Sequence, residues 1–222
     1  MRIRIGSLTV AAILTVAIFY AVPAGAVPMT QGTIVDVTFP APGGNPNLAA
    51  SATVTLTSLT TTSATFDTIV SNNTLVDPTA DITAFGFLMS PTPTANSNVA
   101  VTHVSGTSAF VKVTTPDNIP SINAENVCAW TGNNCSGGAN TGLDPGQSEH
   151  FQFALAGSFN TTSGVDLSTF GIKWQDCVSC SFEIVGTPTV RHRTPEPASV
   201  TLIGGGLLVL FLVGKFRRAA RP

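Results

Sequence analysis

Charged side chains are scarce in this chain, because Asp, Glu, Lys and Arg together make up 10% of its 222 residues. Cations are rarest in the central segment 27–194, which holds four Lys and Arg residues against eleven Asp and Glu residues. This segment therefore has a formal charge of about −7, whereas the whole chain has −2. Nucleic acids and anionic lipid surfaces both bind clustered Lys and Arg side chains. The composition argues against either of them as a partner of this segment.

Aromatic rings are also few, at 7% of residues, and the single tyrosine, Tyr20, lies in an apolar N-terminal stretch. A carbohydrate-binding module would place large rings on one exposed face, and Trp130 and Trp174 are the candidates for such a platform. The shortage of tyrosine counts against this class, which we keep as the alternative to a structural or adhesive protein.

Sequence motifs for catalysis are absent: there is no Gly-x-Ser-x-Gly, His-Glu-x-x-His or phosphate-loop pattern. The three histidines, His103, His150 and His192, stand at no spacing that suits a shared metal ion. His150 follows Glu149 directly, but neighbouring strand residues face opposite ways, so the two form no dyad. We predict a non-enzymatic protein with no cofactor and no metal site. A hydrolase with two converging carboxylates is the remaining enzymatic alternative.

Helical periodicity is nearly absent from residues 27–194, and β-branched residues alternate with polar ones over short runs. Clusters of Pro, Gly and Asn separate these runs. We predict an all-β domain over 27–187, an antiparallel β-sandwich of about nine strands, with a jelly roll or a barrel as alternatives. The predicted strands are 33–39, 52–59, 64–70, 82–89, 99–104, 109–113, 151–155, 170–174 and 182–184.

The N-terminus has the three parts of a secretory signal peptide. Arg2 and Arg4 form a positive start, residues 5–22 are uncharged and apolar, and Ala24 and Ala26 form a small-x-small cleavage site. We predict a helical signal peptide over 1–26 that is cleaved after Ala26, so that the rest of the chain is exported. An uncleaved anchor is the alternative, because about 18 apolar residues can span a bilayer.

Four cysteines, Cys128, Cys135, Cys177 and Cys180, lie in the exported segment. An even number in an oxidising compartment predicts disulfides. We favour the local pairs Cys128–Cys135 and Cys177–Cys180 over a crosswise pairing of the two loops. The first spacing is too wide for a zinc knuckle, and the strand-like flanks of the second pair argue against a redox motif. Trp130 is expected to pack over the first disulfide as a small core, with an exposed sugar platform as the alternative.

The C-terminus has three parts in a fixed order. Pro195, Glu196 and Pro197 end a linker over 188–197. Residues 198–214 are uncharged and apolar, and as a helix of about 25 Å they fall within the tolerated range for a membrane span. A basic tail over 215–222 follows, and the positive-inside rule keeps it in the cytoplasm. Its cations are Lys215, Arg217, Arg218 and Arg221.

This order of proline–glutamate–proline, membrane helix and basic tail resembles the PEP-CTERM sorting signal of Gram-negative bacteria. The resemblance covers residues 195–221. It implies that an exosortase-type membrane enzyme recognises Pro195, Glu196 and Pro197, removes the helix and passes the protein to the cell surface. It also implies a place in the extracellular polysaccharide or biofilm matrix, with polysaccharide as a candidate partner.

Overall fold

The computed structural model describes residues 25–42, 46–75, 77–137, 141–177 and 180–191, with the backbone alone at 176, 177 and 180. The predicted helices of the signal peptide and of residues 198–214 lie outside these ranges. Within them the chain is all β, with thirteen strands and no helix. No helix of the described residues is therefore long and apolar enough to cross a membrane.

The strands follow one another with short connections. In chain order they are β1 (Val27–Met29), β2 (Ile34–Phe39), β3 (Ala50–Leu59), β4 (Ser63–Asn72), β5 (Asp81–Ser90), β6 (Asn96–Ala100), β7 (Thr102–Ser105), β8 (Lys112–Thr115), β9 (Val127–Trp130), β10 (Ser148–Ala156), β11 (Val165–Cys177), β12 (Cys180–Val185) and β13 (Thr187–Arg191).

Two antiparallel sheets result from the pairing of these strands. The first sheet has seven strands in the order β1-β11-β5-β9-β8-β6, with β12 also beside β11. The second sheet has six, in the order β13-β2-β3-β4-β10-β7. All of the strand pairs are antiparallel, as the sequence predicts for an all-β domain.

Alternation of apolar and polar residues builds the second sheet. In β3 the side chains of Ala52, Val54 and Leu56 are buried, whereas Thr53 and Thr55 between them are half-buried and face outward. Successive side chains of a strand point to opposite faces, so this pattern directs one face to the core and leaves the other to solvent. The same pattern runs through β2, β4 and β10.

The two sheets meet through an aromatic core. The ring of Phe87 in β5 lies 5.6 Å from that of Phe66 in β4 and 6.5 Å from that of Phe153 in β10, centroid to centroid. Phe39 of β2 meets Phe85 of β5 edge to face at 6.3 Å. Such pairs contribute about 0.5–1.5 kcal/mol each beyond the burial of their area. The packing of one sheet on the other through these rings makes the domain a two-layer sandwich.

The number of strands was predicted too low, since thirteen form rather than about nine. The single strand expected over 99–104 is in fact β6 in the first sheet and β7 in the second. β1 and β13 each contain a proline, which is tolerated because both lie at sheet edges. β9 shows no alternation, because all four of its residues are buried.

The chain changes sheet at Gly186, which alone separates β12 from β13. A Cβ atom at this position would lie 2.7 Å from Cε1 of Phe39 and 2.8 Å from its Cδ1. Glycine therefore lets the backbone turn against the core. β13 then runs to Arg191, so residues 188–191 of the expected linker belong to the second sheet.

Candidate functional site

The first sheet carries a second, smaller core on its outer face. Cys128 and Cys135 form a disulfide, which confirms the first of the two local pairs. Trp130 packs in the same cluster with Ala84 and Ile119, and its indole N–H donates to Thr114 Oγ1 at 2.9 Å. The expectation that Trp130 packs over the disulfide is confirmed.

The alternative prediction, an exposed sugar platform built on Trp130 and Trp174, is therefore wrong. Trp130 is 7% exposed and Trp174 is fully buried between the sheets. The backbones of Cys177 and Cys180 lie opposite each other in the β11–β12 pair. Their side chains lie outside the described part of the chain, so their pairing stays a prediction.

Loss of the Cys128–Cys135 bond is expected to cost stability but not export. The bond joins residues seven positions apart, and closing a loop of this size stabilises a domain by about 2–3 kcal/mol in the chain-entropy description. Cys128→Ser should lower the free energy of unfolding by that amount in a denaturant titration, while the protein still reaches the cell surface. Equal stability of the variant and of the oxidised parent would contradict the bond's role.

Residues 116–126, which we call the cover segment, lie over the outer face of the first sheet. Asn126 fixes the end of the segment, because its side chain accepts from Met89 N–H and donates to Met89 C=O, both at 2.8 Å. Ile119 is fully buried in the small core. Ser121 donates to Glu183 Oε2 at 3.2 Å. The segment is thus held at its middle and at its end.

Glu125 of the cover segment is a buried carboxyl without a partner. It is 6% exposed, and neither side-chain oxygen has a hydrogen-bond partner among the described residues. It occupies the space above Gly86 and Gly171, which face each other in the β5–β11 pair and have no side chains to fill it. Burial raises the pKa of Glu125 to about 7. The backbone N–H groups of Glu125, Ile119 and Ala124 are near enough to act in the opposite direction but do not meet the geometry of a hydrogen bond, so burial prevails.

Glu183 lies on the same outer face but, unlike Glu125, has a charged partner. It forms a buried ion pair with Lys173 at 2.7 Å, and both side chains are less than a tenth exposed. Burial acts to raise the pKa of Glu183, but hydrogen bonds from Lys173, Ser181 and Ser121 and the charge of Lys173 hold it below its ordinary value. One face of the sheet thus holds a paired carboxylate with a lowered pKa and a carboxyl without a side-chain partner whose pKa is raised.

Two histidine–carboxylate pairs each include one residue of β10, and they lie on opposite faces of the strand. Glu149 is fully buried, and its Oε1 lies 2.8 Å from His103 Nδ1. Its other oxygen accepts from the backbone N–H groups of Ala109 at 2.7 Å and Phe110 at 3.0 Å. His150 faces the opposite way and pairs with an aspartate on β4, as the alternation of a strand predicts.

The pair of Glu149 and His103 holds a loop rather than a nucleophile. Phe110, between the two sheets, stacks on Phe151 with ring centroids 4.9 Å apart, and Glu149 fixes the backbone that carries it. Among the described residues no hydroxyl or thiol is bonded to the second ring nitrogen of His103. The arrangement therefore lacks the hydroxyl that a hydrolytic triad requires.

The outer face of the second sheet is polar and bears short networks. Asp67 of β4 bonds His150 Nε2 at 2.6 Å and Gln152 Nε2 at 2.7 Å. Asp36 of β2 accepts from Thr53 at 2.8 Å and pairs with Arg191 of β13. Threonine and serine hydroxyls supply most of the remaining polar groups of β3 and β4 on this face.

A groove of about 370 Å³ lies where this face meets the edge formed by β6 and β7. Its polar wall has three amides and two hydroxyls, and its apolar part has four residues. The amides and hydroxyls are those of Asn96, Asn98, Gln152, Thr65 and Thr102, and the apolar residues are Val99, Ala100, Phe153 and Ala154. Lys112 reaches the rim and donates to Asn98 Oδ1 at 2.6 Å.

Of the residues predicted for signal cleavage and sorting, only some lie within the described ranges. Ala26 is described and directly precedes β1, whereas Ala24, the Pro195–Glu196–Pro197 motif and the basic tail lie outside the described ranges. In the described part of the chain, no three His, Cys, Asp or Glu side chains come together to hold a metal ion. Sequence reasoning missed Glu125 and the groove, because both depend on which strands become neighbours.

No protein-family model, no characterised protein and no solved structure matches this chain. The class that the structure defines is an all-β protein of two antiparallel sheets.

Proposed function

We propose that this chain is an exported, non-enzymatic surface protein. It is held in the cytoplasmic membrane by residues 198–214 and then displayed as a structural or adhesive component of the extracellular polysaccharide matrix. The observation that carries the proposal is the order of the C-terminal parts: Pro195–Glu196–Pro197, an apolar run and a basic tail. An exosortase-type enzyme is the processing partner that this order implies.

The boundaries of the fold support two processing steps. β1 starts at Val27, so cleavage after Ala26 removes no residue of either sheet. β13 ends at Arg191, so cleavage at the Pro195–Glu196–Pro197 motif also leaves both sheets whole. Proline fixes its own φ and restricts the residue before it, which keeps the motif extended and stops the membrane helix from continuing into it. An extended segment is what a processing enzyme can bind.

The domain between the two cleavage sites suits display outside the cell. The Cys128–Cys135 disulfide persists in oxidising compartments, whereas cytosolic thiols are kept reduced. The outer face of the second sheet offers neutral hydroxyls and amides together with a few paired charges. These features favour contact with hydrated, uncharged material over a charged surface.

A carbohydrate-binding module is the second candidate function, and the groove beside β10 favours it. Extracellular hydrolysis is less favoured on the described residues. Two of the buried acids there are engaged in structure, since Glu149 fixes the loop that carries Phe110 and Glu183 pairs with Lys173. A third, Glu125, is only 6% exposed and is therefore closed off from solvent.

Glu196→Ala is expected to block maturation without blocking export or insertion. The change removes the only charge of the motif and leaves the signal peptide, the helix and the tail as they are. In the native host, the variant should accumulate in the membrane fraction at full length after signal cleavage, whereas the parent reaches the surface. Thr194→Ala, just before the motif, is the matched control and should mature normally. Normal maturation of Glu196→Ala would contradict the assigned role of the motif.

A further inference from the structure

We propose that the groove beside β10 is a binding site for a neutral polysaccharide chain, contacted by Thr65, Asn98, Thr102 and Gln152. The site rests on the proposed function in one respect, since display outside the cell is what brings matrix polysaccharide to it. The geometry of the groove carries the choice of ligand.

The amides of the groove are oriented by partners outside it. Gln152 donates through Nε2 to Asp67 Oδ2 at 2.7 Å, which leaves its Oε1 as an acceptor. Asn98 accepts at Oδ1 from Lys112 Nζ at 2.6 Å, and its Nδ2 donates through one N–H to Ser97 Oγ at 3.5 Å, which leaves the second N–H as a donor. A side-chain amide has one acceptor oxygen and two N–H donors on its nitrogen, so a bond at one end fixes which way the group is turned. The groove therefore presents one fixed acceptor and one fixed donor.

Two hydroxyls complete the polar wall. Thr65 of β4 and Thr102 of β7 lie on opposite sides of β10, which pairs with both strands. A threonine hydroxyl both donates and accepts, and so does every hydroxyl of a sugar. Ala154 and Val99 add an apolar patch against which the C–H groups of a sugar ring can pack. This mixture fits a ligand that carries many hydroxyls on an apolar ring.

The charges around the groove select a neutral ligand. Lys112 at the rim and Asp67 carry opposite charges, and each is hydrogen-bonded to an amide of the groove, Asn98 and Gln152 respectively. His150 adds a second partner to Asp67. Lys112 is a single cation at the rim, and the negative formal charge of residues 27–194 opposes the binding of a uronate or a sulfate.

The size of the groove suits a short stretch of such a chain. Its volume of about 370 Å³ lies at the lower end of the range for small-ligand sites. It has no exposed tryptophan or tyrosine among its lining residues. We therefore expect a dissociation constant of about 1 mM for one chain segment. Many displayed copies bound to one polysaccharide gain from multivalency, so weak single sites are sufficient for adhesion.

Calorimetric titration of the full-length protein in nanodiscs tests the proposal. The neutral probes are cellotetraose, mannotetraose and chitotetraose, and the anionic probe is tetragalacturonate. We expect millimolar binding of at least one neutral probe, and binding of the anionic probe at least ten times weaker. The proposal would be overturned if no neutral probe bound at up to roughly 20 mM in the cell, about twenty times the expected dissociation constant, or if tetragalacturonate bound less than tenfold more weakly than the best neutral probe.

Point variants place the binding in the groove. Thr65→Val removes one hydroxyl at constant shape, and Asn98→Ala removes the fixed donor; each should weaken binding about 3- to 10-fold, as loss of one hydrogen bond does. Thr55→Val on β3 and Asn73→Ala are the matched controls, because neither residue lines the groove. Unchanged affinity in both groove variants, with unfolding temperatures equal to that of the parent, would contradict the site.

Failure of this site and failure of the proposed function are separable. Binding in nanodiscs does not depend on sorting, whereas the effect of Glu196→Ala on maturation does not depend on any sugar. A chain that matures at Glu196 but binds no neutral probe is a surface protein without this site. A chain that binds but is never processed keeps the site and loses the proposed route to the surface.

Discussion

Glu125→Gln is expected to flatten the pH dependence of stability between about pH 4.5 and pH 7. The carboxyl of Glu125 has an ordinary pKa of 4.5 and a folded pKa of about 7 because it is buried without a partner. The folded state therefore holds a proton that the unfolded state has lost in this range. Stability must then fall as the pH rises through it and level off above about pH 7. Glutamine fills the same space and does not ionise.

The size of the fall in stability follows from the shift in the pKa of Glu125. Each unit of pKa difference corresponds to 1.36 kcal/mol, so the native chain should lose about 3 kcal/mol from this one group on going from pH 4.5 to pH 7. For a domain of this size that is a fall in melting temperature of about 6–12 °C. Thermal unfolding followed by circular dichroism at half-unit steps of pH measures it for the parent and for Glu125→Gln.

A control variant in the same segment separates the contribution of Glu125 to the pH dependence from that of other titrating groups. Asp117→Asn removes another carboxylate of the cover segment, from a half-buried position. This variant keeps Glu125 and should therefore keep the fall in stability that Glu125 produces between pH 4.5 and pH 7. Lys173 and Glu183, on the same face, are paired with each other. A Glu125→Gln protein that loses as much stability as the parent between pH 4.5 and pH 7 would contradict the account of Glu125.

Glu149→Ala is expected to be among the most destabilising single changes in the second sheet. It removes a fully buried acceptor of three hydrogen bonds and leaves the N–H groups of Ala109 and Phe110 without their partner. Breaking a buried, charged network costs about 3–5 kcal/mol. Denaturant unfolding should show a loss of that order, and the loop that carries Phe110 should exchange its amide hydrogens faster.

His150→Ala is the matched control for Glu149→Ala, because it removes the neighbouring side chain on the opposite face. His150 and Asp67 are both partly exposed, and partly exposed pairs contribute at most about 1 kcal/mol. Glu149→Ala should therefore lower the free energy of unfolding several times more than His150→Ala does. Similar small losses for both would show that Glu149 does not hold the loop against the core.

The sequence predicts the strands whose one face is buried, because alternation is visible in the residues themselves. β3 and β10 were found this way, since apolar and polar residues alternate along both. β9 was missed because the small core covers its outer face and buries all four residues. The segment 99–104 was read as one strand because nothing in its pattern marks the point at which the chain leaves the first sheet for the second.

Contacts between residues far apart in the chain limit how much of the candidate sites can be predicted from the sequence. The Cys128–Cys135 pair is local, and short separation along the chain was enough to predict it. The exposure of Glu125 is decided by Gly86 and Gly171, which meet only when β5 pairs with β11. The partner of Glu149 is His103, 46 positions away, rather than the adjacent His150. Register between strands, which a single sequence does not reveal, made these sites unpredictable.

The central claim is that the chain is processed at both ends and displayed. Its most direct test is the intact mass of the protein recovered from the surface of its native host. The account predicts a species that begins at Val27 and ends near Pro197, with the sandwich and its disulfide complete and residues 198–222 removed. A surface or membrane species that retains residues 198–222, with no shorter form, would contradict it and would make the C-terminus a permanent anchor.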